Sequence, residues 1–390
     1  MKIALLLSRI PYPLEKGDKL RAFHQLRVLS QKHEIHLICT HDAKIHPKAE
    51  EILKPYCTSI HIFPFSRIEL GFHLVRNIFR TLPMQVGYFY SPSVRKRINK
   101  LLDEINPEVI YCQLIRTAEY VRNRKTPKVI DFQDVFSINV ERRFKHAPFY
   151  VKPLLLLEYK RLKRYETEVF QYFSNSVIIS EAERELLPFQ EKNRVMISAN
   201  GVDMEYFCAK ESFKDIDLVF TGNMGYPPNI DAACYLADEI LPEIRKEFPY
   251  TNLTLAGANP FYSVKNLQKD FITVTGWVED IRGYYSRAKI FVAPMRMGTG
   301  LQNKLLEAMA MKTPCITTSL ANVALGAKPG EEILIADTKE ELVARILQLI
   351  QSDELRKTLS EAGYLFVKRN YSWEKEVEAL EKALEKAIGQ

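Results

Sequence analysis

The stretch VAPMRMGTGLQNKLLEAMAMKTPCITT, residues 292–318, decides the fold of this chain. Its first residues belong to an apolar run, which predicts a short buried strand, and Gly298 and Gly300 predict a loop after it. From Leu301 onward the apolar residues recur at helical spacing, and Pro314 prevents the predicted helix from continuing. The residues after Pro314 predict a second strand, so the stretch forms a strand, a glycine loop, a helix and a strand.

This unit offers a place for phosphate. Glycine lets the backbone approach a ligand closely, and a helix N-terminus presents free N–H groups and a positive dipole end. Asn303, Lys304 and Glu307 lie along one polar side of the predicted helix. A cation near the helix start and a carboxylate one turn further on suit a diphosphate and a ribose diol.

Residues 298–310, GTGLQNKLLEAMA, resemble the signature of retaining glycosyltransferases of the GT4 family, which have the GT-B fold. That family usually carries two glutamates eight positions apart. Glu307 matches the second glutamate, whereas Thr299 stands at the position of the first. Residues 200–203, Asn-Gly-Val-Asp, match the interdomain segment of the family, and the resemblance extends over nearly the whole chain.

The resemblance implies an α/β chain in which two Rossmann-like domains face a cleft. Residues 1–199 are expected to bind the acceptor, and residues 200–371 are expected to bind the nucleotide sugar. The helix in residues 372–390 is expected to cross back to the first domain. The chain opens with a Rossmann-like strand, loop, helix and strand, but it lacks the Gly-x-Gly-x-x-Gly motif of nicotinamide dehydrogenases.

The resemblance also implies a set of donor-binding residues. Family members usually place arginine and lysine in the loop that here follows residue 221, and this chain has neither there. Arg296 and Lys304 are therefore expected to supply the positive charge, and Glu307 is expected to bind the ribose hydroxyls. Trp277 is expected to pack rather than to stack on the base. The expected donor-binding residues are Gly17, Gly222, Asn223, Val278, Gly298, Thr299, Gly300, Leu301, Gln302, Lys304 and Glu307.

Candidate acceptor residues lie in the first half of the chain. Asp131 ends a predicted strand and Asp134 follows it, at the edge where ligands of open α/β sheets bind. Asp134 is the candidate that faces the acceptor hydroxyl, and we count it as catalytic together with Arg296 and Lys304. The alternative is that one of the two acids caps the next segment. By resemblance, Arg21 is also expected near the acceptor.

No cofactor and no metal are expected. Asp215 and Asp217 form an Asp-x-Asp pair of the kind with which another glycosyltransferase fold holds a metal. They stand at the entry of a predicted strand at 218–221, however, and therefore at its amino end, whereas ligands gather at the carboxyl ends.

Charge and cysteine content indicate the partners and the compartment. The formal net charge is +7, with +12 on the first 200 residues and −5 on the remainder. Basic and aromatic residues interleave in residues 68–102, and a basic cluster follows at 160–164, which suits a helix at an anionic membrane surface. A solvated basic face is the alternative. Six scattered cysteines without a Cys-x-x-Cys pair favour a reduced cytoplasm, and we expect them to be buried thiols that form neither zinc sites nor disulfides.

The sequence therefore predicts a retaining glycosyltransferase that moves a sugar from a nucleotide diphosphate to a glycan or a lipid-linked acceptor. We expect a cytoplasmic protein, peripheral on the inner face of the membrane, without a nucleic-acid partner. One alternative is a UDP-sugar epimerase of the same fold, which needs no separate acceptor. A second alternative is a non-catalytic partner that binds nucleotide sugars, since Thr299 replaces the first glutamate.

Overall fold

The computed structural model describes residues 1–14, 16–78, 81–209, 212–297 and 300–389. The chain forms two compact units. The first comprises Met1–Asn200 and Trp373–Gln390, and the second comprises Gly201–Ser372.

The first unit is built on a seven-stranded parallel sheet in the order β3-β2-β1-β4-β5-β6-β7. Its strands are β1 (Lys2–Leu7), β2 (Glu34–His41), β3 (Ser59–Pro64), β4 (Val109–Gln113), β5 (Lys128–Asp131), β6 (Asn175–Ile178) and β7 (Met196–Ile197). Both faces of the sheet are covered, which is why β1 is an unbroken apolar run: Leu6 points into one apolar layer and Leu5 and Leu7 into the other.

Helices connect these strands. They are α1 (Gly17–Leu29), α2 (Ala49–Leu53), α3 (Arg67–Ile78), α4 (Met84–Tyr88), α5 (Pro92–Ile105), α6 (Ala118–Val121), α7 (Phe136–His146), α8 (Lys152–Tyr172) and α9 (Glu181–Glu185). The interpretation of residues 68–102 as one interface helix is wrong, because the segment forms three helices. Pro83 and Pro92 stand at the starts of α4 and α5, where proline suits a helix that begins but not one that continues. Phe79 and Arg80 lie outside the described residues.

The second unit repeats this architecture with six parallel strands in the order β10-β9-β8-β11-β12-β13. The strands are β8 (Ile216–Thr221), β9 (Leu253–Ala256), β10 (Ile272–Val274), β11 (Ala288–Ala293), β12 (Cys315–Thr317) and β13 (Leu334–Ile335). The helices are α10 (Pro227–Tyr235), α11 (Leu241–Glu247), α12 (Tyr262–Lys265), α13 (Arg282–Arg287), α14 (Asn303–Ala310), α15 (Ser319–Leu325), α16 (Lys339–Gln351) and α17 (Asp353–Asn370). A π-helical turn, Leu236–Ile240, joins α10 to α11.

The last helix, α18 (Trp373–Ile388), belongs to the first unit. Its apolar face, which includes Trp373, Val377, Leu380 and Leu384, is buried in the layer that also covers β1. The Trp373 ring stacks on the His24 ring with 4.8 Å between centroids. The fold is therefore of the predicted α/β class, with a parallel sheet in each unit and the last helix on the first.

Cysteines and membrane spans give little further information. Cys39, Cys112 and Cys315 are buried thiols, whereas Cys208 is exposed, contrary to the expectation that the cysteines are buried. Among the described residues, we find no helix with the length and apolar character needed to cross a membrane.

Candidate functional site

Polar side chains meet at the carboxyl edge of the second sheet, where β8 and β11 lie side by side. The sheet continues to β9 on one side and to β12 on the other, and ligands of open α/β sheets bind where the connections diverge in this way. The apolar face of α14 is buried, which leaves Lys304 and Glu307 on its other side. The side chain of Gln302, at the N-cap position of α14, makes no capping hydrogen bond, so the first N–H groups of the helix can donate to an anion.

Lys304 is a half-buried cation held by neutral groups. Its Nζ donates to Asn229 Oδ1 at 2.8 Å and to Gln302 Oε1 at 2.9 Å, and it lies 5.5 Å from the centre of the Phe220 ring. Burial lowers the pKa of Lys304 to about 8, although the nearby Glu307 carboxylate opposes the shift. Within the described ranges Lys304 has no ion pair, so an anion that binds here meets a cation without a counter-charge in contact.

Glu307 is held by a chain of hydroxyl groups. Tyr285 Oη donates to Glu307 Oε2 at 2.7 Å and lies 2.7 Å from Thr221 Oγ1, at the end of β8. Burial raises the pKa of Glu307 to about 7, and the Tyr285 hydrogen bond and Lys304 oppose that shift. The other carboxylate oxygen has no hydrogen-bond partner among the described residues and is available to a ligand.

Two glycines allow the backbone to pass close to this site. Gly222 follows β8 with φ +150°, and a Cβ there would lie 2.8 Å from Asn229 Nδ2 and 3.3 Å from Lys304 Cε. Gly257 follows β9 with φ +144°, and a Cβ there would lie 1.8 Å from the Gly222 carbonyl oxygen. Any side chain at either position would push the two loops apart and displace Asn229 from Lys304.

Arg296 makes an ion pair and a ring contact that do not involve Lys304 or Glu307. Its Nε and Nη2 donate to the Asp231 carboxylate at 3.0 and 2.7 Å, and its guanidinium lies 4.1 Å from the centre of the Tyr235 ring. An incoming phosphate would compete with Asp231 for this side chain. Arg296 therefore stays a prediction, and Lys304 is the cation that the structure brings to Glu307.

The other predicted donor residues have mixed outcomes. Gly298 and Thr299 lie outside the described residues. Gly300 is exposed and Leu301 is half-buried, and Gln302 donates to the Gly300 carbonyl at 2.9 Å while it accepts from Lys304. The Asn223 carbonyl accepts from Asn229 Nδ2 at 3.0 Å, so Asn223 supports the amide that holds Lys304.

Val278 follows β10 in a half-buried position. The neighbouring Trp277 is 71% exposed, so the prediction that it packs in the interior is wrong. An exposed indole next to Val278 is free to stack on a base.

Arg21 and Asp131 have a structural role instead of the acceptor role expected for them. Both side chains are fully buried, and Arg21 Nε donates to Asp131 Oδ2 at 2.7 Å. The other guanidinium nitrogens of Arg21 bond to Ser198 O, Ala199 O and Asn200 Oδ1. Because neither side chain reaches solvent, neither can contact an acceptor, and the pair instead ties α1 to β5 and to the end of the first unit.

Asp134 and Gly17 line a pocket of about 340 Å³ at the carboxyl edge of the first sheet. Burial, followed by repulsion from Glu183, raises the pKa of Asp134 to about 6. The pocket also contains Arg9 and Arg116, which the sequence analysis missed. Each follows a strand of this sheet by two or three residues, and this position is itself a signal that could have found them.

Asp215 and Asp217 lie at the amino end of β8. Arg287 pairs with Asp215 at 2.5 Å, and Lys289 pairs with Asp217 at 2.8 Å. Over the described ranges, no group of three or more His, Cys, Asp or Glu residues is arranged to hold a metal ion.

The sequence is similar to those of known proteins. Residues 215–352 match the family described as Glycosyl transferases group 1. A protein of the cps region of Klebsiella pneumoniae, itself uncharacterized, is 22% identical over 96% of this chain and 97% of its own length.

Solved structures extend the likeness to the whole fold. Sucrose-phosphate synthase from Thermosynechococcus elongatus has a TM-score of 0.70 at 14% identity, with 100% of both chains covered. The UDP complex of Anabaena HepE has a TM-score of 0.69 at 12% identity, with 99% of this chain and 100% of that chain covered. The chain therefore has the GT-B fold of these proteins, and residues 215–352 match the Glycosyl transferases group 1 family.

Proposed function

We propose that the protein is a retaining glycosyltransferase of the hexosyltransferase type, with a nucleotide-diphosphate sugar as donor. The observation that carries this proposal is the pair Lys304 and Glu307 at the carboxyl edge of the second sheet. Among the residues that the structure describes, Lys304 has no ion pair and one oxygen of Glu307 has no hydrogen-bond partner. The group 1 match covers both residues. Anabaena HepE has been crystallised with UDP and with UDP-glucose, which supports a nucleotide-sugar donor.

In this proposal the second unit binds the donor. The diphosphate lies at the uncapped N-terminus of α14 and takes a charge-assisted hydrogen bond from Lys304. The ribose hydroxyls donate to Glu307, whose carboxylate is oriented by Tyr285. Trp277 lies beside the segment that holds the base.

The chemistry is the departure of a diphosphate. The bond between the anomeric carbon and the phosphate oxygen breaks, and its electron pair leaves with the diphosphate, where Lys304 stabilises the added charge. The acceptor oxygen bonds to the anomeric carbon, and its proton passes to Asp134. With a pKa near 6, Asp134 is largely ionised at neutral pH and still basic enough to accept that proton. Retention rests on the GT4 resemblance, and the anomeric configuration of the product, read by NMR, tests it.

The acceptor is a glycan or a lipid-linked glycan, and the first unit supplies its pocket. The cps-region relative supports polysaccharide synthesis as the setting. The deciding experiment screens nucleotide sugars for thermal stabilisation and then measures nucleotide release with glycan acceptors. We expect stabilisation by mass action and release that depends on the acceptor. Interconversion of sugars without release would identify an epimerase, and binding without turnover would identify a non-catalytic partner.

Transfer is expected to continue in excess chelator. Asp215 and Asp217 are paired with cations at the amino end of β8, away from the edge where Lys304 and Glu307 lie. The double variant Asp215→Asn, Asp217→Asn should keep its activity and lose little stability, since ion pairs at the surface, here one exposed and one half-buried, contribute about 0–1 kcal/mol each. Loss of transfer in EDTA that magnesium or manganese restores would contradict this expectation.

The first unit also presents an apolar surface that fits an anionic membrane. On α3, Ile68, Phe72 and Val75 share one face and are 85%, 64% and 60% exposed. Leu154 and Leu157 are half exposed on α8, which continues into the basic cluster at 160–164. An exposed apolar face with neighbouring cations is typical of a helix that lies in a lipid headgroup layer.

Sedimentation with vesicles tests this surface. We expect binding to phosphatidylglycerol-containing vesicles that weakens with salt, at roughly 1 kcal/mol for each basic residue near the surface, and little binding to phosphatidylcholine. Ile68→Glu, Phe72→Glu should reduce the binding about tenfold or more, because two apolar side chains no longer enter the lipid. Phe213→Glu, which changes an 85% exposed side chain of the second unit, is the matched control. Equal binding to both lipids would reject the membrane role.

A further inference from the structure

The pocket of the first unit is lined by several charged and polar side chains. It lies at the carboxyl ends of β1, β4 and β5, and it is lined by Arg9, Asp18, Arg116, Gln133 and Asp134. β1 and β4 are neighbours from which the sheet continues in opposite directions, so the pocket occupies the first unit's counterpart of the Lys304 site.

Arg116 is a cation that its surroundings neutralise incompletely. Its guanidinium lies 5.2 Å from the centre of the Phe89 ring and 5.1 Å from that of Phe136. Its Nη2 donates to Gln85 Oε1 at 3.4 Å, whereas its Nε is buried and has no hydrogen-bond partner among the described residues. Asp18 stands 3.8 Å away, at the outer limit of an ion pair. Burial, followed by repulsion from Arg9, lowers the pKa of Arg116 to about 10.

Arg9, in the same pocket, has a carboxylate partner for each of its three guanidinium nitrogens. It donates to both oxygens of Asp42, at 2.9 and 2.6 Å, and to Asp18 at 3.2 Å. Asp18 is therefore engaged by Arg9, and this leaves Arg116 as the arginine with donors to spare. Two aromatic rings hold its planar group in one orientation, which prepares it for a planar or bidentate anion.

The backbone of the pocket is strained at two places. Leu114, directly after β4, has φ 63°, and Gln133, two residues after β5, has φ 62°. Neither is glycine, and side chains rarely adopt this conformation, so each position costs free energy that the surrounding structure must offset. The Gln133 side chain is buried, and in the part of the chain that the structure describes its Oε1 has no hydrogen-bond partner. Strain and an unsatisfied amide in one pocket are typical of a site built for a ligand.

We propose that this pocket selects an acceptor that carries an oxyanion, which Arg116 binds, beside the hydroxyl that faces Asp134. The inference rests on the proposed transferase function and names the chemical class of its acceptor. The oxyanion is either the carboxylate of an acidic sugar or the phosphate of a sugar phosphate or lipid phosphate.

Two pairs of probes test the selection without donor and without turnover. Methyl glucuronide is compared with methyl glucoside, and glucose 6-phosphate with glucose, by calorimetric titration of the full-length protein. The anionic member of at least one pair should bind about tenfold more tightly than its neutral partner, the usual effect of one charge-assisted hydrogen bond. Preference in the first pair alone identifies an acidic sugar, and preference in the second pair alone identifies a phosphate.

Variants assign the preference to Arg116. Arg116→Gln should abolish it, and Arg116→Lys should retain part of it. Arg97→Gln is the matched control, because Arg97 lies 4.8 Å from the centre of the Phe63 ring but outside the pocket. The preference should also survive Lys304→Gln, which shows that the probes do not bind at the donor site. Phe136→Leu, which loosens the guanidinium without a change in charge, serves as the second variant if Arg116→Gln does not fold.

Equal affinities within both pairs, absence of binding by both anionic probes, or a preference that persists in Arg116→Gln would overturn the inference. None of these outcomes affects the proposed transferase function, since a transferase with a neutral acceptor would still release nucleotide in the screen described above. Conversely, a protein that binds the anionic probes through Arg116 but turns over no nucleotide sugar would leave the pocket assigned and the transferase proposal rejected.

Discussion

Lys304→Gln is expected to lower kcat by about 100- to 1,000-fold, the usual loss when one preorganised electrostatic contact to a leaving group is removed. Lys304 donates to Asn229 and Gln302 in the absence of donor, and neither amide brings a negative charge that would compete with a diphosphate. Lys304→Arg should recover only part of the rate, because the lysine stem runs so close to Gly222 that even a Cβ at that position would lie 3.3 Å from Lys304 Cε, which leaves little room for a guanidinium. Steady-state kinetics at saturating donor measures the effect.

The stability of the same variant separates a catalytic role from a structural one. The pKa of Lys304 is about 8 in the folded protein and near 10.4 in an unfolded chain, so at pH 7 its charge opposes folding. Removal of that charge should leave the Tm unchanged or slightly higher while activity collapses, a pattern typical of residues kept for function. Lys312→Gln, which breaks an exposed pair with Glu361, is the matched control and should change neither quantity appreciably. A large fall in Tm in Lys304→Gln would argue for a structural lysine.

Local sequence patterns predicted most of the fold because parallel strands buried on both faces are continuous apolar runs. By this pattern residues 2–7 and 128–131 predict strands, and they form β1 and β5 with the same bounds. β13 has two residues and lies in an apolar run of only four, residues 333–336, which is too short to show a periodicity. Residues 230–248 predict one continuous helix, but a π-helical turn at Leu236–Ile240 interrupts it, and such a turn leaves no mark in the spacing of apolar residues.

The site was less predictable because its contacts join residues that lie far apart in the chain. Arg21 pairs with Asp131 although 110 positions separate them in the sequence. No local sequence pattern distinguishes such a buried pair from two ligand-binding residues. Tyr285 orients Glu307, but nothing in the sequence distinguishes it from the other tyrosines of the 19 in the chain. Only the fold places it beside β8. Lys304 and Glu307, by contrast, are one turn apart on one helix, and helical geometry alone places them together.

Glu307→Gln is expected to weaken donor binding by about 10- to 100-fold, since each charge-assisted hydrogen bond to the ribose contributes roughly 1.5–3 kcal/mol. The amide keeps the size of the side chain and can still accept from Tyr285, so the hydroxyl chain to Thr221 remains. The Tm should be unchanged or slightly higher, because the raised pKa shows that ionised Glu307 opposes folding above pH 4.5. Glu331→Gln, at an exposed pair with Lys328, is the matched control. Unaltered donor affinity in Glu307→Gln would remove Glu307 from the site.

The pH dependence of donor binding is a second, independent test of the roles of Lys304 and Glu307. Glu307 binds ribose hydroxyls as a carboxylate, so affinity should rise as the pH increases through about 7. Lys304 binds phosphate as an ammonium, so affinity should fall as the pH increases through about 8. The wild type should therefore bind most tightly between about pH 7 and pH 8 when titrated calorimetrically with a nucleotide sugar. Glu307→Gln should lose the acidic limb and keep the alkaline one, because only the carboxylate titrates in the first. A profile that Glu307→Gln leaves unchanged on the acidic side would show that another group titrates there and that Glu307 does not contact the donor.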